Sequence, residues 1–243
     1  MEWVDEGIVL SVRKHGETSA IAMLLTRRHG RHAGLVRGGI GKAARGVLQP
    51  GNRVEARWRA RLAEHLGTLV CEAVHAYAAA VLDDPDRLAA LSAACAVAEA
   101  ALPEREPAAA VHDGLLALLG AIENGVWPVA YVRWELGLLA ELGFGLDLTE
   151  CAATGRNDQL AYVSPKSGRA VSLAAGEPYR ERLLVLPPFL VDGAGNGATA
   201  ADLSNGLRLT GHFLERHVFA PAGTSMPAAR RRLEERLRRG NSP

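Results

Sequence analysis

The sequence predicts an α+β protein, with a small five-stranded barrel first and a helical domain after it. Up to about residue 79, short apolar runs alternate with turn residues, a pattern typical of strands. Beyond it the chain is rich in Ala and Leu, with apolar residues spaced near 3.6, which indicates amphipathic helices. Gly, Pro and Ser interrupt this pattern at about 148–190. We expect two domains, 1–79 and 80–243, with a small irregular insert at about 148–190.

Composition places the chain among globular proteins. It has 243 residues, of which 48% are hydrophobic and 23% charged, enough to bury a sizeable core. No run of eighteen apolar residues occurs, and the start MEWVDEGIVL lacks the features of a secretory signal. Three widely spaced cysteines argue against a disulfide framework. We therefore expect a cytoplasmic protein.

Five apolar runs predict the strands of the barrel. In the fourth, Val54, Ala56 and Trp58 alternate with charged residues, which predicts one buried face and one basic face. A five-stranded, partly open barrel is a common platform for nucleic acids. The predicted strands are Val4–Val12, Ala20–Thr26, Arg31–Arg37, Arg53–Arg59 and Gly67–Ala76.

Five helices are predicted after the barrel. The acidic segment Asp83–Arg87 offers an N-cap for the first, which ends near Ala100. The last helix carries charges nearly all round with a thin seam of Leu233 and Leu237, so we expect it to be solvated. Between them, YVSPKSGRAVS predicts a hairpin. The other helices are Ala108–Asn124, Pro128–Leu142, Leu203–His217 and Pro227–Arg239.

Positive charge is concentrated in the predicted barrel. The stretch Arg13–Arg61 holds twelve basic and two acidic residues, a net +10 in a chain of net +1, so the remaining residues carry −9. Such a surface favours a phosphate backbone through counterion release; the alternative is a merely solubilising face. The expected phosphate contacts are Arg13, Lys14, Arg27, Arg28, Arg31, Arg37, Lys42, Arg45, Arg53 and Arg57.

The glycine-rich segment Gly34–Gly46 does not match a nucleotide-binding loop. A Walker A loop requires Gly at Val36 and Ser or Thr at Ala43, and a dinucleotide loop requires Gly at Ala44. What remains is a flexible loop whose charges either track a phosphodiester strand or belong to an ordinary mobile loop. It carries Arg37, Lys42 and Arg45.

No motif for catalysis or metal binding is found. His29, His32, His212 and His217 have no carboxylate or cysteine at useful spacing, and G-x-S-x-G, H-E-x-x-H and C-x-x-C are missing. We expect no catalytic residue, no cofactor and no enzyme activity.

Several segments in order resemble the RecO family of bacterial recombination mediators. They are Trp3–Ala20, Val36–Gly46 with Leu48–Gly51, Arg133–Phe144, Leu146–Leu148 with Cys151, Tyr162–Ser172 and Leu207–Val218. The resemblance implies an amino-terminal OB-fold barrel and an association with the nucleoid. It also implies binding of single- and double-stranded DNA, annealing of complementary strands, work with RecR, and contact with the acidic tail of single-strand binding protein (SSB) to help load RecA.

The resemblance also bears on two sites. It implies that the SSB tail binds at Arg133, with Leu136 and Leu139 nearby on the same helix. Some members hold zinc in the insert with four cysteines, but only the first remains here, so we predict a zinc-ribbon-like insert without metal. The four positions are Cys151, Thr154, Ser172 and Ala175. The insert is then held by packing, for example through Tyr162, Leu173 and Tyr179.

The sequence therefore predicts a non-enzymatic DNA repair protein. Trp3 and Trp58 are candidate stacking platforms for bases, although the alternation around Trp58 favours the barrel core. The charge pattern alone also permits an RNA-binding or ribosome-associated OB-fold protein. A nucleotide-dependent enzyme is a third possibility, against which the failed loop motifs count.

Overall fold

The computed structural model describes residues 1–191 and 197–239. The described residues form two compact units: Met1–Trp127 with Pro227–Arg230, and 128–191 with 197–226 and 231–239. The first unit contains the barrel and the helices that follow it, so the barrel is packed together with residues beyond 79. The α+β class is confirmed, whereas the boundary at residue 79 stays a prediction.

Five strands close into a barrel in the order β1-β2-β3-β5-β4, the OB-fold arrangement, and all five predicted strands are confirmed. Neighbours are antiparallel except β3 and β5, which meet in parallel at Leu35 and Thr68. The strands are β1 (Glu2–His15), β2 (Ser19–Thr26), β3 (Gly30–Val36), β4 (Arg53–Arg59) and β5 (Thr68–His75).

The barrel core follows the predicted alternation. Val54, Ala56 and Trp58 of β4 are buried, while Glu55 and Arg57 between them are exposed. Trp58 is 2% exposed, and its indole N–H donates to the Leu66 carbonyl at 2.9 Å. Trp58 is therefore a core residue and not a stacking surface, because its polar atom is satisfied inside the barrel.

The helices of the first unit pack on the barrel. Asp84 caps α3 by accepting from the N–H groups of Asp86 and Arg87, as the acidic segment predicts. On its inner face the Cys95 thiol lies 3.8 Å from a β1 carbonyl. The helices are α1 (Lys42–Val47), α2 (Tyr77–Ala80), α3 (Pro85–Ala101) and α4 (Ala109–Glu123).

The linker between α3 and α4 runs along β3 and depends on one glycine. The Arg105 N–H donates to the Arg31 carbonyl at 2.8 Å. Gly30, at the start of β3, has φ +64°, and a Cβ there would lie 1.8 Å from the Glu106 carbonyl oxygen. The backbone of the linker occupies the space that any larger residue would need, so this contact requires glycine.

The second unit combines helices with a three-stranded sheet of order β7-β6-β8. The predicted hairpin is confirmed, since Val163 of β6 pairs with Ala170 of β7. The elements are α5 (Trp127–Glu141), β6 (Leu160–Val163), β7 (Ala170–Ser172), α6 (Leu173–Gly176), β8 (Leu184–Val185), α7 (Ala200–Leu214) and α8 (Ala228–Arg239), of which residues 228–230 belong to the first unit. Short 3-10 turns lie at Glu177–Arg182 and Pro188–Leu190, and a π-helical turn at Glu215–Phe219 extends α7.

Two expectations about this part of the chain are wrong. The last helix is not simply solvated, because Arg230 and Leu233 are both fully buried. In the insert, Leu173 and Tyr179 are 47% and 60% exposed and do not hold it together. Tyr162 does pack inside it: its ring covers Gly176 so closely that a Cβ there would lie 2.4 Å from a ring carbon.

In the part of the chain that the structure describes, no helix is both long and apolar enough to cross a membrane.

Replacing Gly30 by Ala should destabilise the protein by more than about 2 kcal/mol, because it adds a left-handed backbone penalty to a backbone clash. Gly46→Ala is the matched control: Gly46 lies in α1 with open space around its Cα, so this change should leave stability unchanged or raise it by about 0.5–1 kcal/mol. Urea unfolding of both variants measures the difference. Equal stabilities would contradict the assigned contact.

Candidate nucleic-acid interface

Five of the ten expected phosphate contacts gather at one end of the barrel, which we call the basic end. They are Arg13, Lys14, Arg37, Lys42 and Arg45. Lys14 of β1 is aligned with Ala20 of β2, and Ala20 with Val36 of β3. Arg37 follows Val36 directly, so residues distant in sequence meet within two strand spacings, roughly 10 Å.

The segment between β3 and β4 is ordered and not the flexible loop that its glycines predicted. Its start is tied to the β1–β2 turn, since the Ile40 N–H donates to the Thr18 carbonyl at 3.3 Å. Gly39 lies against β2 so closely that a Cβ there would be 2.8 Å from that of Ala20. The segment then forms α1, which places Lys42 and Arg45 three residues apart on neighbouring positions of one face.

Asn52 holds the other end of this segment, a role that sequence reasoning missed. Its side chain is buried and donates to the carbonyls of Gly46 at 2.9 Å and Val47 at 3.2 Å, and its oxygen accepts from the Ala78 N–H at 3.2 Å. One amide thus fixes the end of α1 and the start of α2. The signal for this role in the sequence is that a polar residue, Asn52, directly follows Leu48–Gly51.

The basic end keeps its charge. All five of its cationic side chains are exposed, and among residues 1–191 and 197–239 none of them has a carboxylate within 4 Å. Exposed cations without an internal partner are free to meet phosphates, and each contact releases counterions.

Four other expected contacts form ion pairs within the first unit. Arg27 pairs with Asp113 at 3.0 Å, Arg28 with Asp5 at 3.1 Å, Arg31 with Glu104 at 3.6 Å and Arg53 with Glu6 at 2.5 Å. The first three lie near the opposite end of the barrel, where β2 turns into β3. The pairs of Arg27 and Arg53 lie at the surface, where an ion pair is worth at most about 1 kcal/mol, so phosphate competes with them, whereas Arg28 pairs with a buried carboxylate. The net field of all four pairs is small.

Arg57 lies apart from both groups. It is exposed on the outer face of β4, between Val4 of β1 and Val70 of β5. Along β1, Val4 is ten residues from Lys14, a path of roughly 30 Å along a strand whose register shifts between Val9 and Ser11. A ligand must therefore extend along the barrel to reach Arg57 and the basic end together.

Asp5 is the carboxylate at the opposite end. It is 6% exposed and accepts from the Arg28 backbone N–H at 2.8 Å, the Arg28 side chain at 3.1 Å and His29 Nδ1 at 3.0 Å. Burial acts to raise its pKa, but these hydrogen bonds and the Arg28 charge lower it below the usual value. In the sequence no carboxylate stands at useful spacing from His29, but the fold brings Asp5 to it from 24 residues away.

Trp3 is already stacked within the protein. Its ring lies parallel to that of His29 with centroids 4.4 Å apart, and nearly parallel to Trp58 at 5.7 Å. Its contribution to a ligand site is therefore a fixed wall and not a freely swinging platform.

In the insert, three of the four positions that correspond to zinc ligands come together. The buried Cys151 sulfur accepts from the Ser172 N–H at 3.3 Å and lies 3.5 Å from the Ser172 hydroxyl. Burial opposes ionisation of the thiol, but hydrogen bonds from Ser172 and Thr154 lower its pKa to about 6. In the described residues, no group of three or more His, Cys, Asp or Glu side chains is arranged to hold a metal.

Arg133 lies in α5 and is exposed, but its position is set by the protein. Its guanidinium donates to the Phe189 carbonyl at 2.8 Å. Leu136 is partly exposed, whereas Leu139 is fully buried. Of the two expected apolar neighbours, only Leu136 is available to a ligand.

Two family models match the chain, each over most of one predicted domain. The recombination protein O N-terminal model covers residues 1–77 and the C-terminal model residues 82–226. Relatives named DNA repair protein RecO include those of Rhodospirillum centenum, 62% identical over 100% of this chain and 97% of the relative, and Rhodospirillum rubrum, 57% identical over 98% and 97%. That of Phenylobacterium zucineum is 53% identical over 98% of both chains.

We expect protein purified without chelator to contain far less than one zinc per chain, and EDTA to leave its melting temperature unchanged. The reason is that hydroxyl and backbone groups surround the Cys151 sulfur where further thiolates would be needed. Elemental analysis and a thermal melt with and without EDTA measure both. Stoichiometric zinc, with a fall in melting temperature on chelation, would contradict this assignment.

Proposed function

Because the chain belongs to the recombination protein O family, we propose that it is a non-enzymatic DNA repair and recombination protein that binds single- and double-stranded DNA. The observation that carries this proposal is the basic end: five exposed cations on an OB-fold barrel, none with an ion-pair partner among the described residues. The contacts reach phosphates, so binding is largely independent of sequence.

Strand annealing follows from the same charges. Two complementary strands repel each other through their phosphates, and a surface that neutralises both lowers this repulsion until base pairs nucleate. The OB-fold barrel supplies such a surface without chemistry of its own. We propose that the protein anneals strands in this way and, together with RecR, helps load RecA onto single-stranded DNA coated with SSB.

The SSB tail is proposed to dock in the second unit at Arg133. A guanidinium carries five N–H donors and binds a terminal carboxylate in a fork. The bond to Phe189 holds this group in place, which lowers the entropy lost on binding. Leu136 then offers apolar surface one turn further along α5 for the last side chain of the tail.

The rival function is binding of structured RNA, which the charge distribution alone permits. Competition between a single-stranded DNA oligonucleotide and a folded RNA of equal length separates the two. Preference for DNA supports the proposal, and preference for RNA overturns it.

In the cell we propose a cytoplasmic protein that associates with the nucleoid.

Replacing Arg37, Lys42 and Arg45 together by Ala should weaken DNA binding for all sequences alike. Since up to three phosphate contacts are lost, the slope of log K against log salt should flatten by roughly 2–3 units. Fluorescence anisotropy of a labelled oligonucleotide at several salt concentrations measures both effects.

The matched control removes the same charge elsewhere: Arg156, Arg180 and Arg182, exposed in the insert, are replaced together by Ala. This control should leave the slope nearly unchanged. If both triple variants behave alike, net charge and not the basic end determines binding, and the assignment is wrong.

Arg133→Ala should reduce affinity for an SSB tail peptide by about 1.5–3 kcal/mol, the range for a hydrogen bond to a charged group. The affinity of Arg133→Lys should lie between those of the unaltered protein and Arg133→Ala, because lysine keeps the charge but cannot form the two parallel hydrogen bonds of a guanidinium. Binding to bare DNA should not change. Calorimetry measures the affinity of the peptide for all three proteins. Equal affinities would show that Arg133 does not contact the tail, and no binding by the unaltered protein would show that the tail does not bind to this chain.

A further inference from the structure

A cleft of about 450 Å³ opens in the first unit at the end of the barrel opposite the basic end. We call it the aromatic cleft. Its lining includes Trp3, Arg28, His29, His32, Trp58 and Arg105, with Ala63 and Pro107 on the loops that border it. Aromatic rings form one wall, of which Trp3 and His29 are partly exposed, while Trp58 and His32 are buried. Two arginines bring positive charge, and the acidic Glu2 also lines the cleft.

The aromatic wall is rigid. Trp3 is stacked on both His29 and Trp58, and the His32 ring meets Trp3 and Trp58 edge-on, with centroids 5.0 and 4.8 Å away. Each ring restrains its neighbours, so the wall exists before any ligand arrives. Preformed planar walls favour planar ligands, because little rotamer freedom is lost on contact.

His32 is the unexplained group in this wall. It is 5% exposed, and within the described residues neither of its ring nitrogens has a hydrogen-bond partner. Burial, together with the charges of Arg105 and His29, lowers its pKa to about 4. The ring is therefore neutral near pH 7 and has one N–H donor and one acceptor, both unsatisfied. Buried polar atoms without partners are rare in folded proteins and point to a missing ligand or water.

Arg105 brings a cation to the same cleft at the cost of backbone strain. Its φ is +63°, which is unusual for a residue other than glycine. Its guanidinium donates to the carbonyls of Ala63 and His65, and among the described residues it has no carboxylate within 4 Å. Arg28, whose side chain is 65% exposed, lies at the cleft beside Asp5.

We propose that the aromatic cleft binds a single nucleotide, with its base against the aromatic wall and its phosphate toward Arg28 and Arg105. The two ring nitrogens of His32 point in divergent directions, so a ligand in the cleft can pair with only one of them; a nucleobase edge carries both donors and acceptors and suits either tautomer. A carboxylate could accept from an N–H only, and an aliphatic side chain would satisfy neither nitrogen. This inference rests on the proposed function, because the nucleotide is supplied either free or as part of a DNA strand.

Two measurements on the full-length protein separate these sources. In the first, dAMP, dCMP, dGMP and dTMP are titrated while tryptophan fluorescence, to which Trp3 and Trp58 contribute, is recorded. In the second, a 20-nucleotide strand is compared with a strand of the same length built from abasic units, which keeps the phosphates and lacks the bases. We expect the normal strand to bind at least fivefold more tightly.

Two variants assign the effect to the cleft. His32→Phe keeps a ring of similar size and removes both nitrogens, and Ala63→Trp narrows the cleft from an exposed loop position with little risk to folding. Each should abolish the preference for bases. His15→Phe, an exposed histidine at the far end of β1, is the matched control and should retain it.

The outcomes are distinct. If both cleft variants lose the preference for the normal strand over the abasic strand, the nucleotide in the cleft is part of a DNA strand. If mononucleotides quench the fluorescence but the normal strand is not preferred, the cleft binds a free nucleotide. Equal binding of normal and abasic strands with no response to mononucleotides overturns the inference and leaves the proposed function standing. Failure to bind any strand overturns the proposed function itself. Loss of the preference in His15→Phe as well would also overturn the cleft assignment.

Discussion

Four ion pairs between the basic stretch and carboxylates outside it determine where the barrel is positive. Asp5, Glu6, Glu104 and Asp113 neutralise Arg28, Arg53, Arg31 and Arg27. Of the eight other basic residues of the stretch, five lie at the basic end, and Arg57, Arg59 and Arg61 lie on β4 or directly after it. Clustered charges of one sign add their potentials and attract a polyanion more strongly than the same charges spread over the barrel, and salt screens both arrangements over about 10 Å.

The order of the segment between β3 and β4 adds to this effect. Flexible cations lose side-chain and backbone freedom when they bind, and that loss subtracts from the affinity. Here Asn52, and the contact of Gly39 with Ala20, fix the backbone before DNA arrives. The remaining freedom is that of the long side chains, which suits the proposed binding of many sequences and of both single and double strands.

Much of the fold could be predicted because its signals are local. Alternation in β4 and the cap at Asp84 depend on residues a few positions apart. The ion pairs could not be predicted, since Arg27 and Asp113 are separated by 86 residues and nothing in the chain marks them as partners. The helix α1 was hidden for another reason: glycine-rich sequence has low helix propensity, and tertiary contacts overcame it. The burial of Arg230 in a helix of mostly charged residues likewise depends on packing and not on pattern.

In our proposal, the basic end and the aromatic cleft contribute to binding through different physics. The first acts on phosphates and weakens steeply with salt, while in the second only the phosphate contacts of Arg28 and Arg105 do so, and stacking and hydrogen bonding of the base depend little on salt. They lie at opposite ends of β1, from Lys14 to Trp3, at most roughly 35 Å apart along the strand, which a nucleic-acid strand of the length that one OB-fold holds can span. A strand that spans both is retained by the cleft when the phosphate contacts weaken. Base-dependent retention at high salt is thus a property of this pair of sites and not of charge alone.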